Sequence, residues 1–184
     1  MFILKKNYYF YTDNTRSINI DLIKKNLNIT IIYRNNYSKE TINEIINFRK
    51  KLRVRKFNFY VANNLKLTKK CKADGLYISA YNKKIYKNVK VIGAAHNFKE
   101  IAQKINQGCK TIILSRLFKV GYLGKEMFYG PVKFNLMSQK TSVNLIPLGG
   151  INSSNLLKLN LLAANGFCSL SEIKKKPIIS NRLF

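Results

Sequence analysis

The sequence predicts a single α/β domain over residues 1–184, a (β/α)8 TIM barrel with shortened helices. Short apolar runs of strand character alternate with helical stretches along the whole chain, and eight such units favour a closed parallel barrel. An open doubly wound sheet is the alternative, but it more often carries an early Gly-x-Gly-x-x-Gly turn, which this sequence lacks. The chain has 184 residues, slightly few for a barrel, so short helices are expected.

The predicted strands are short, largely apolar and bounded by polar residues or glycine. They cover residues 8–11, 29–33, 57–61, 75–78, 89–94, 111–114 and 145–148, with an eighth within 164–171.

The predicted helices follow the strands, and most begin at a side chain that can accept from the free N–H groups of the first turn. They cover residues 18–27 after Ser17, 38–53 capped by Ser38, 65–70, the stretch from Asn97 to 106, 132–139, a segment capped by Asn152 or Ser153, and a last helix after Ser171 that Pro177 interrupts. Gly108 ends the helix that begins at Asn97. In the second helix, one buried face is predicted for Ile42, Ile45, Ile46 and Arg49. Residues 115–129 form a long loop, which is typical of a functional segment.

The charge is strongly positive, with 34 Lys and Arg against 8 Asp and Glu and a net charge of +26. The basic residues are spread along the chain, so we interpret them as a solvated basic surface and expect no specific nucleic-acid partner. Such a surface attracts anionic small molecules such as pyrophosphates.

No apolar run is long enough to cross a bilayer, and the first residues turn polar too soon for a signal peptide, so we expect a cytoplasmic protein without a membrane partner. The three cysteines, Cys71, Cys109 and Cys168, are widely spaced and predict buried free thiols. One histidine cannot complete an ordinary zinc site with them.

A glycine pair after the seventh strand is the most informative local feature. The apolar run 145–148 leads into Gly149 and Gly150, and a strand ending in small residues follows at 164–171. Adjacent glycines let backbone N–H groups approach an anion closely, and the loops after strands seven and eight hold phosphate in many barrels. The alternative, a turn that merely requires glycine, stays open.

The motifs resemble those of the thiamine-phosphate synthase and TenI-like thiazole tautomerase family. The residues that carry the resemblance occur in order along the chain: Tyr9-Phe10-Tyr11-Thr12-Asp13, Ala73-Asp74-Gly75-Leu76-Tyr77-Ile78, Ala94-Ala95-His96-Asn97, Leu114-Ser115-Arg116-Leu117-Phe118, Gly130-Pro131-Val132-Lys133-Phe134, Pro147-Leu148-Gly149-Gly150-Ile151 and the stretch from Gly166 to Ser171. The resemblance implies a synthase that couples a pyrimidine pyrophosphate to a thiazole phosphate and releases pyrophosphate. The alternative is a degenerate or TenI-like relative that binds thiazole phosphate or thiamine phosphate without synthase activity. A homo-oligomer is compatible with both.

The resemblance also implies site residues at the carboxyl ends of the strands. The phosphate-binding set is Gly149, Gly150, Ser115, Ser169, Leu170 and Ser171. Of the family's Gln-x-Arg-x-Lys motif only Arg34 is retained, with Asn36 in place of the lysine. Arg34 is expected to bind pyrophosphate through its planar fork, or else to form a surface ion pair.

The catalytic and metal residues are partly replaced. Asn63 and Asn82 occupy the positions of the Mg²⁺ carboxylates, which leaves Mg²⁺ a weak cofactor candidate because asparagine brings no charge. The tautomerase histidine is replaced by Arg116, which cannot shuttle protons near pH 7. His96 is expected to donate a hydrogen bond to a phosphate or to serve as a general acid–base group. The alternative is that it only organises the turn before the helix.

Two further expectations concern basic and aromatic residues. Lys125 or Lys119 is expected to reach the pyrophosphate from the long loop. Tyr9 and Tyr11 could stack beneath a pyrimidine, although aromatic residues in strands more often serve packing.

Overall fold

A computed structural model describes residues 7–23, 28–35, 39–120 and 127–169. Eight parallel strands close into a barrel in chain order, with the last strand paired to the first. The strands are β1 (Asn7–Thr12), β2 (Asn28–Tyr33), β3 (Asn58–Ala62), β4 (Gly75–Ile78), β5 (Val91–Ala95), β6 (Thr111–Ser115), β7 (Asn144–Leu148) and β8 (Gly166–Ser169). The predicted (β/α)8 barrel is confirmed.

The outer helical layer is reduced, as the chain length predicted. In the part of the chain that the structure describes, its α-helices are α1 (Ile42–Val54), α2 (Leu65–Lys70), α3 (Phe98–Asn106) and α4 (Gly130–Gln139), and the helix predicted after Ser171 lies outside that part. Short 3-10 turns at Ile20–Leu22 and Leu156–Leu161 connect β1 to β2 and β7 to β8. Residues 79–90, which join β4 to β5, contain no helix. Among the described residues, no helix combines the length and hydropathy needed to cross a membrane.

The helix predicted over residues 18–27 is wrong within its described part. Only the 3-10 turn forms there, and it is capped by Asn19 instead of Ser17. Ile18, Ile20 and Ile23 are all buried. These isoleucines are spaced by two and three residues, which does not match one face of an α-helix. A short irregular turn can bury all three against the barrel. Residues 24–27 lie outside the described part of the chain.

Helix α1 begins at Ile42, four residues later than predicted, and Ser38 lies outside the described residues. Thr41 accepts from the backbone N–H of Glu44, and the Glu44 carboxylate accepts from the N–H of Thr41. This capping box was readable as Thr-x-x-Glu and fixes the first turn. The predicted buried face holds for Ile45 and Arg49, whereas Ile42 is exposed.

The predicted α-helix after the glycine pair is also wrong. The segment is the 3-10 turn Leu156–Leu161, preceded by Asn155. The Asn152 side chain accepts from the backbone N–H and the hydroxyl of Ser154, so it closes a local turn and caps no α-helix. Short polar side chains compete with helix formation in this way.

The apolar core has two layers, one inside the barrel and one between the strands and the outer elements. Inside the barrel, the Tyr11 hydroxyl donates to the Tyr77 hydroxyl at 2.8 Å, and their rings meet edge to face. Cys168 is buried beside them, and Cys71 and Cys109 are buried elsewhere. All three thiols are free, which confirms that prediction.

The tyrosines inside the barrel predict a loss of stability at alkaline pH. Burial raises the pKa of Tyr9 and Tyr77 to about 12, above the ordinary value of 10. Between these values the folded protein keeps protons that the unfolded chain releases, so the free energy of unfolding falls as pH rises. Each tyrosine is expected to contribute a loss of about 2 kcal/mol by pH 11.5.

Urea unfolding at pH 9 and pH 11.5 measures this loss. The control is Tyr11→Phe with Tyr77→Phe, which removes both hydroxyls of the bonded pair and leaves neither without a partner. Deprotonation of the lysines and of Tyr9 affects both proteins alike, so the difference isolates the Tyr11–Tyr77 pair. Equal losses in the two proteins would contradict the prediction.

Candidate functional site

Most of the predicted site residues gather at one end of the barrel, which we call the mouth, where the carboxyl ends of the strands meet. Arg34 follows β2, Asn63 follows β3 and His96 follows β5, while Ser115 and Ser169 end β6 and β8. The glycine turn, Gly149–Gly150, follows β7. In a parallel barrel this face carries the ligands.

The glycine turn has a backbone that other residues rarely adopt, with φ of 99° at Gly149 and 68° at Gly150. A Cβ atom at Gly150 would lie 2.5 Å from the carbonyl oxygens of Phe118 and Lys119, and one at Gly149 would lie 3.2 Å from Cγ of Arg116. The Phe118 N–H also donates to the Gly149 carbonyl oxygen at 3.0 Å. The loop after β6 therefore packs directly on the turn, and both positions require glycine.

The N–H groups of this turn are available. Within the described residues, neither the Gly149 nor the Gly150 N–H has a hydrogen-bond acceptor. The carbonyl oxygens are in use, since that of Gly150 accepts from Asn155 Nδ2 at 2.6 Å. Because a 3-10 turn and no α-helix follows, no helix dipole adds to the two amides.

The second half of the predicted phosphate site is only partly described. Ser169 is buried and pairs with Phe10 of β1. Leu170 and Ser171 lie outside the described residues, as do Asn36 and Lys125. Their predicted roles stay predictions.

The loop after β6 links the glycine turn to His96. The Tyr129 N–H donates to the Arg116 carbonyl oxygen at 2.9 Å, and the Tyr129 hydroxyl donates to the carbonyl oxygen of His96. Arg116 replaces the histidine that the family resemblance implies at this position. It lies between Tyr129 and Gly149. Lys119 is on the same loop, and its carbonyl packs against Gly150.

His96 is oriented by a carboxylate. Its Nδ1 lies 3.0 Å from Glu100 Oε2, which also accepts from the His96 backbone N–H at 2.7 Å. Half of the His96 side chain is exposed, and the Tyr81 ring lies 6.3 Å away. The sequence did not identify Glu100, although the His-x-x-x-Glu spacing at a helix start was a usable signal.

Arg34 forms the ion pair that was one of its two interpretations, and its predicted contact with pyrophosphate stays a prediction. Its Nε and Nη2 lie 3.1 Å and 3.0 Å from Asp13 Oδ1, so it forms an ion pair. Its guanidinium carbon also lies 4.7 Å from the centre of the Tyr11 ring. Burial raises the pKa of Tyr11 and of Cys168 well above their ordinary values. The positive charge of the guanidinium opposes the pKa rise of these two groups inside the barrel.

Asn63 and Asn82 come together but do not fit a Mg²⁺ site. Asn63 Oδ1 accepts from Asn82 Nδ2 at 3.0 Å and from the Ser79 N–H at 3.1 Å, and Asn82 Oδ1 accepts from the Lys84 N–H at 2.9 Å. Mg²⁺ prefers carboxylate oxygens, and both amide oxygens here are engaged. In the described chain, no cluster of three or more His, Cys, Asp or Glu side chains could hold a metal.

Tyr9 does not reach the mouth. It lies two residues before Tyr11 on β1, roughly 6.6 Å lower in the barrel. There it lines a cavity of about 610 Å³ at the opposite end, with Tyr60 and Thr111. Tyr11 is nearer the mouth but is buried and bonded to Tyr77. The interpretation of Tyr9 as a platform beneath a ligand at the mouth is therefore wrong, because its position along the strand places it too deep.

No family model matches this sequence. A search of curated proteins also returned no match. Solved structures are similar in fold. Thiamine phosphate pyrophosphorylase from Pyrococcus furiosus has a TM-score of 0.76 at 14% identity, covering 97% of this chain and 91% of that chain. The 3-keto-L-gulonate-6-phosphate decarboxylase from Vibrio cholerae has a TM-score of 0.67 at 11% identity, covering 97% and 95%.

A third structure is the 2-keto-3-deoxy-6-phosphogluconate aldolase of Zymomonas mobilis with 3-phosphoglycerate. Its TM-score is 0.60 at 11% identity, and the match covers 98% of this chain and 91% of that chain. At these identities the similarity establishes the barrel fold, which this chain shares with a group of enzymes.

Proposed function

We propose that this protein binds a phosphorylated small molecule at the barrel mouth, of the thiamine phosphate or thiazole phosphate class. The observation that carries the proposal is the glycine turn. Gly149 and Gly150 hold two backbone N–H groups without an acceptor among the described residues, at the end of β7. Phosphate oxygens are strong acceptors, and paired backbone N–H groups at such a turn form an anion site.

Charge and structural similarity support the same ligand class. Arg116 packs beside Gly149, and Arg34 lies at the mouth over Tyr11. The three similar structures differ in the reaction that their names give, yet each name includes a phosphorylated compound. A phosphate group is thus what these barrels have in common, and thiamine phosphate belongs to the structure with the highest TM-score of the three.

Thermal unfolding in the presence of thiamine phosphate tests the proposal. At a ligand concentration one hundred times the dissociation constant, the expected stabilisation is about 2.7 kcal/mol. Thiamine without phosphate is the matched control and is expected to stabilise far less. If millimolar thiamine phosphate and millimolar thiazole phosphate both leave the melting temperature unchanged, the proposal is wrong.

The second candidate is the coupling reaction itself, favoured by Arg34. In that reaction the C–O bond of the pyrimidine pyrophosphate breaks, pyrophosphate leaves with the electron pair, and the thiazole nitrogen forms the new C–N bond. Arg34 would stabilise the charge on the leaving pyrophosphate, as cationic groups do in such sites. Incubating the protein with both substrates measures this activity, and absence of thiamine phosphate at high protein concentration rejects it.

A further inference from the structure

The loop between β4 and β5, residues 79–90, is held by two buried side chains at the end of α3. Lys104 is fully buried, and its Nζ donates to the Asn82 carbonyl oxygen at 2.7 Å and to Gln107 Oε1 at 2.9 Å. Gln107 Nε2 in turn donates to the carbonyl oxygens of Asn82 at 3.0 Å and Lys84 at 2.8 Å. Lys104 of α3 and Gln107, which follows the last residue of α3, therefore donate hydrogen bonds to the backbone of a segment that lacks a helix of its own.

The same loop is held at the mouth by Asn63. Asn63 Oδ1 accepts from the Asn82 side chain and from the Ser79 N–H, and Asn82 Nδ2 also donates to the Tyr86 hydroxyl at 3.0 Å. A continuous chain of hydrogen bonds therefore runs from Lys104 through Asn82 to Asn63. We call these three residues the loop lock.

We infer that the loop lock takes the place of a divalent-cation site, and that Lys104 is the residue that positions the loop at the mouth. This inference depends on the proposed function in one respect only, which is that the ligand binds at the barrel mouth. An ammonium group at Lys104 repels a second cation beside Asn82. A neutral amine there still donates to the Asn82 carbonyl oxygen. In either form, the amide oxygens of Asn63 and Asn82 are already accepting hydrogen bonds.

Mn²⁺ binding to the protein without any phosphate ligand tests the first half of the inference. Electron paramagnetic resonance is expected to show no Mn²⁺ bound by the lock up to about 1 mM, the weak end of protein sites for hard cations. Asn63→Gly is the comparison variant, because glycine accepts the positive φ of this residue and removes the amide. Mn²⁺ uptake that Asn63→Gly abolishes overturns the inference, whereas no uptake, or uptake that the variant retains, supports it.

The position of the loop can be read from His96, the single histidine of the chain. Tyr81 belongs to the loop, and its ring lies 6.3 Å from the His96 ring, so movement of the loop alters the imidazole NMR signals. Lys104→Met is expected to shift these signals, whereas Lys110→Met, an exposed lysine at the opposite end of the barrel, is expected to leave them in place. Lys104→Leu is the second variant if Lys104→Met fails to fold. Unchanged His96 signals in the folded variant would show that Lys104 does not position the loop.

The last experiment tests whether binding of thiamine phosphate depends on a divalent cation. Stabilisation by thiamine phosphate is expected to be the same in EDTA and in millimolar Mg²⁺. A Mg²⁺-dependent increase of tenfold or more in affinity, corresponding to about 1.4 kcal/mol, overturns the inference. If thiamine phosphate fails to bind under either condition, the proposed function is wrong, while the Mn²⁺ and His96 measurements still decide the inference.

Discussion

Replacing Asp74 with alanine is expected to lower the free energy of unfolding by about 3 kcal/mol, because the buried guanidinium of Arg49 would lose its counter-ion. Arg49 Nη2 lies 2.7 Å from Asp74 Oδ1, and the Arg49 side chain is only 6% exposed. Asp74 Oδ2 also accepts from the Phe59 N–H at 2.7 Å, at the start of β3. The Asp74 carboxylate thus accepts hydrogen bonds from an α1 side chain and from the backbone of β3.

Arg49 has other partners, but they do not carry charge. Its guanidinium donates to the carbonyl oxygens of Phe57 and Lys72, which tie α1 to the ends of β3 and α2. Those bonds persist in Asp74→Ala, so the loss reports the uncompensated charge and the orphaned Phe59 N–H.

Urea unfolding of Asp74→Ala and Asp21→Ala makes the comparison. Asp21 pairs with Arg55 at 3.1 Å, but its side chain is 88% exposed, so its removal is expected to cost less than about 1 kcal/mol. Similar losses in the two variants would mean that the Arg49–Asp74 pair behaves as a surface ion pair.

The barrel was predictable from sequence because each strand is a short apolar run with a clear polar boundary, and eight of them occur in series. The helix boundaries were less so. Thr41-x-x-Glu44 was a readable start signal, yet a serine three residues earlier was preferred. The segment after β1 contains helix-compatible residues, but burial of Ile18, Ile20 and Ile23 selects a different turn.

At the site, the sequence located the residues but not their partners. Asn63 and Asn82 were placed together as metal ligands, and they do meet, but as donor and acceptor to one another. Asp13 beside Arg34 was likewise missed, because their contact depends on the pairing register of β1 and β2, which sets Thr12 beside Tyr33. Lysine is usually a surface residue, yet Lys104 is fully buried. Its ammonium group donates to the Asn82 carbonyl oxygen, in a loop that has no helix of its own.

Gly149→Asp is expected to weaken binding of a phosphate ester by about 100-fold, which corresponds to about 2.7 kcal/mol. The aspartate would place a negative charge at the turn that we propose as the phosphate site, and its Cβ would lie 3.2 Å from Cγ of Arg116. The positive φ of 99° adds backbone strain. Isothermal titration with thiamine phosphate measures the affinity.

The control must share the strain and the charge while lying away from the mouth. Gly108 meets these conditions, with φ of 83°, no heavy atom within 4 Å of an added Cβ, and a position at the opposite end of the barrel. Gly108→Asp is therefore expected to lower stability modestly and to leave the affinity unchanged. If the two variants lose affinity equally, the effect comes from backbone strain or net charge. If neither loses affinity, the phosphate group does not bind at the turn after β7, and the amides of Gly149 and Gly150 serve only the packing of the β6 loop.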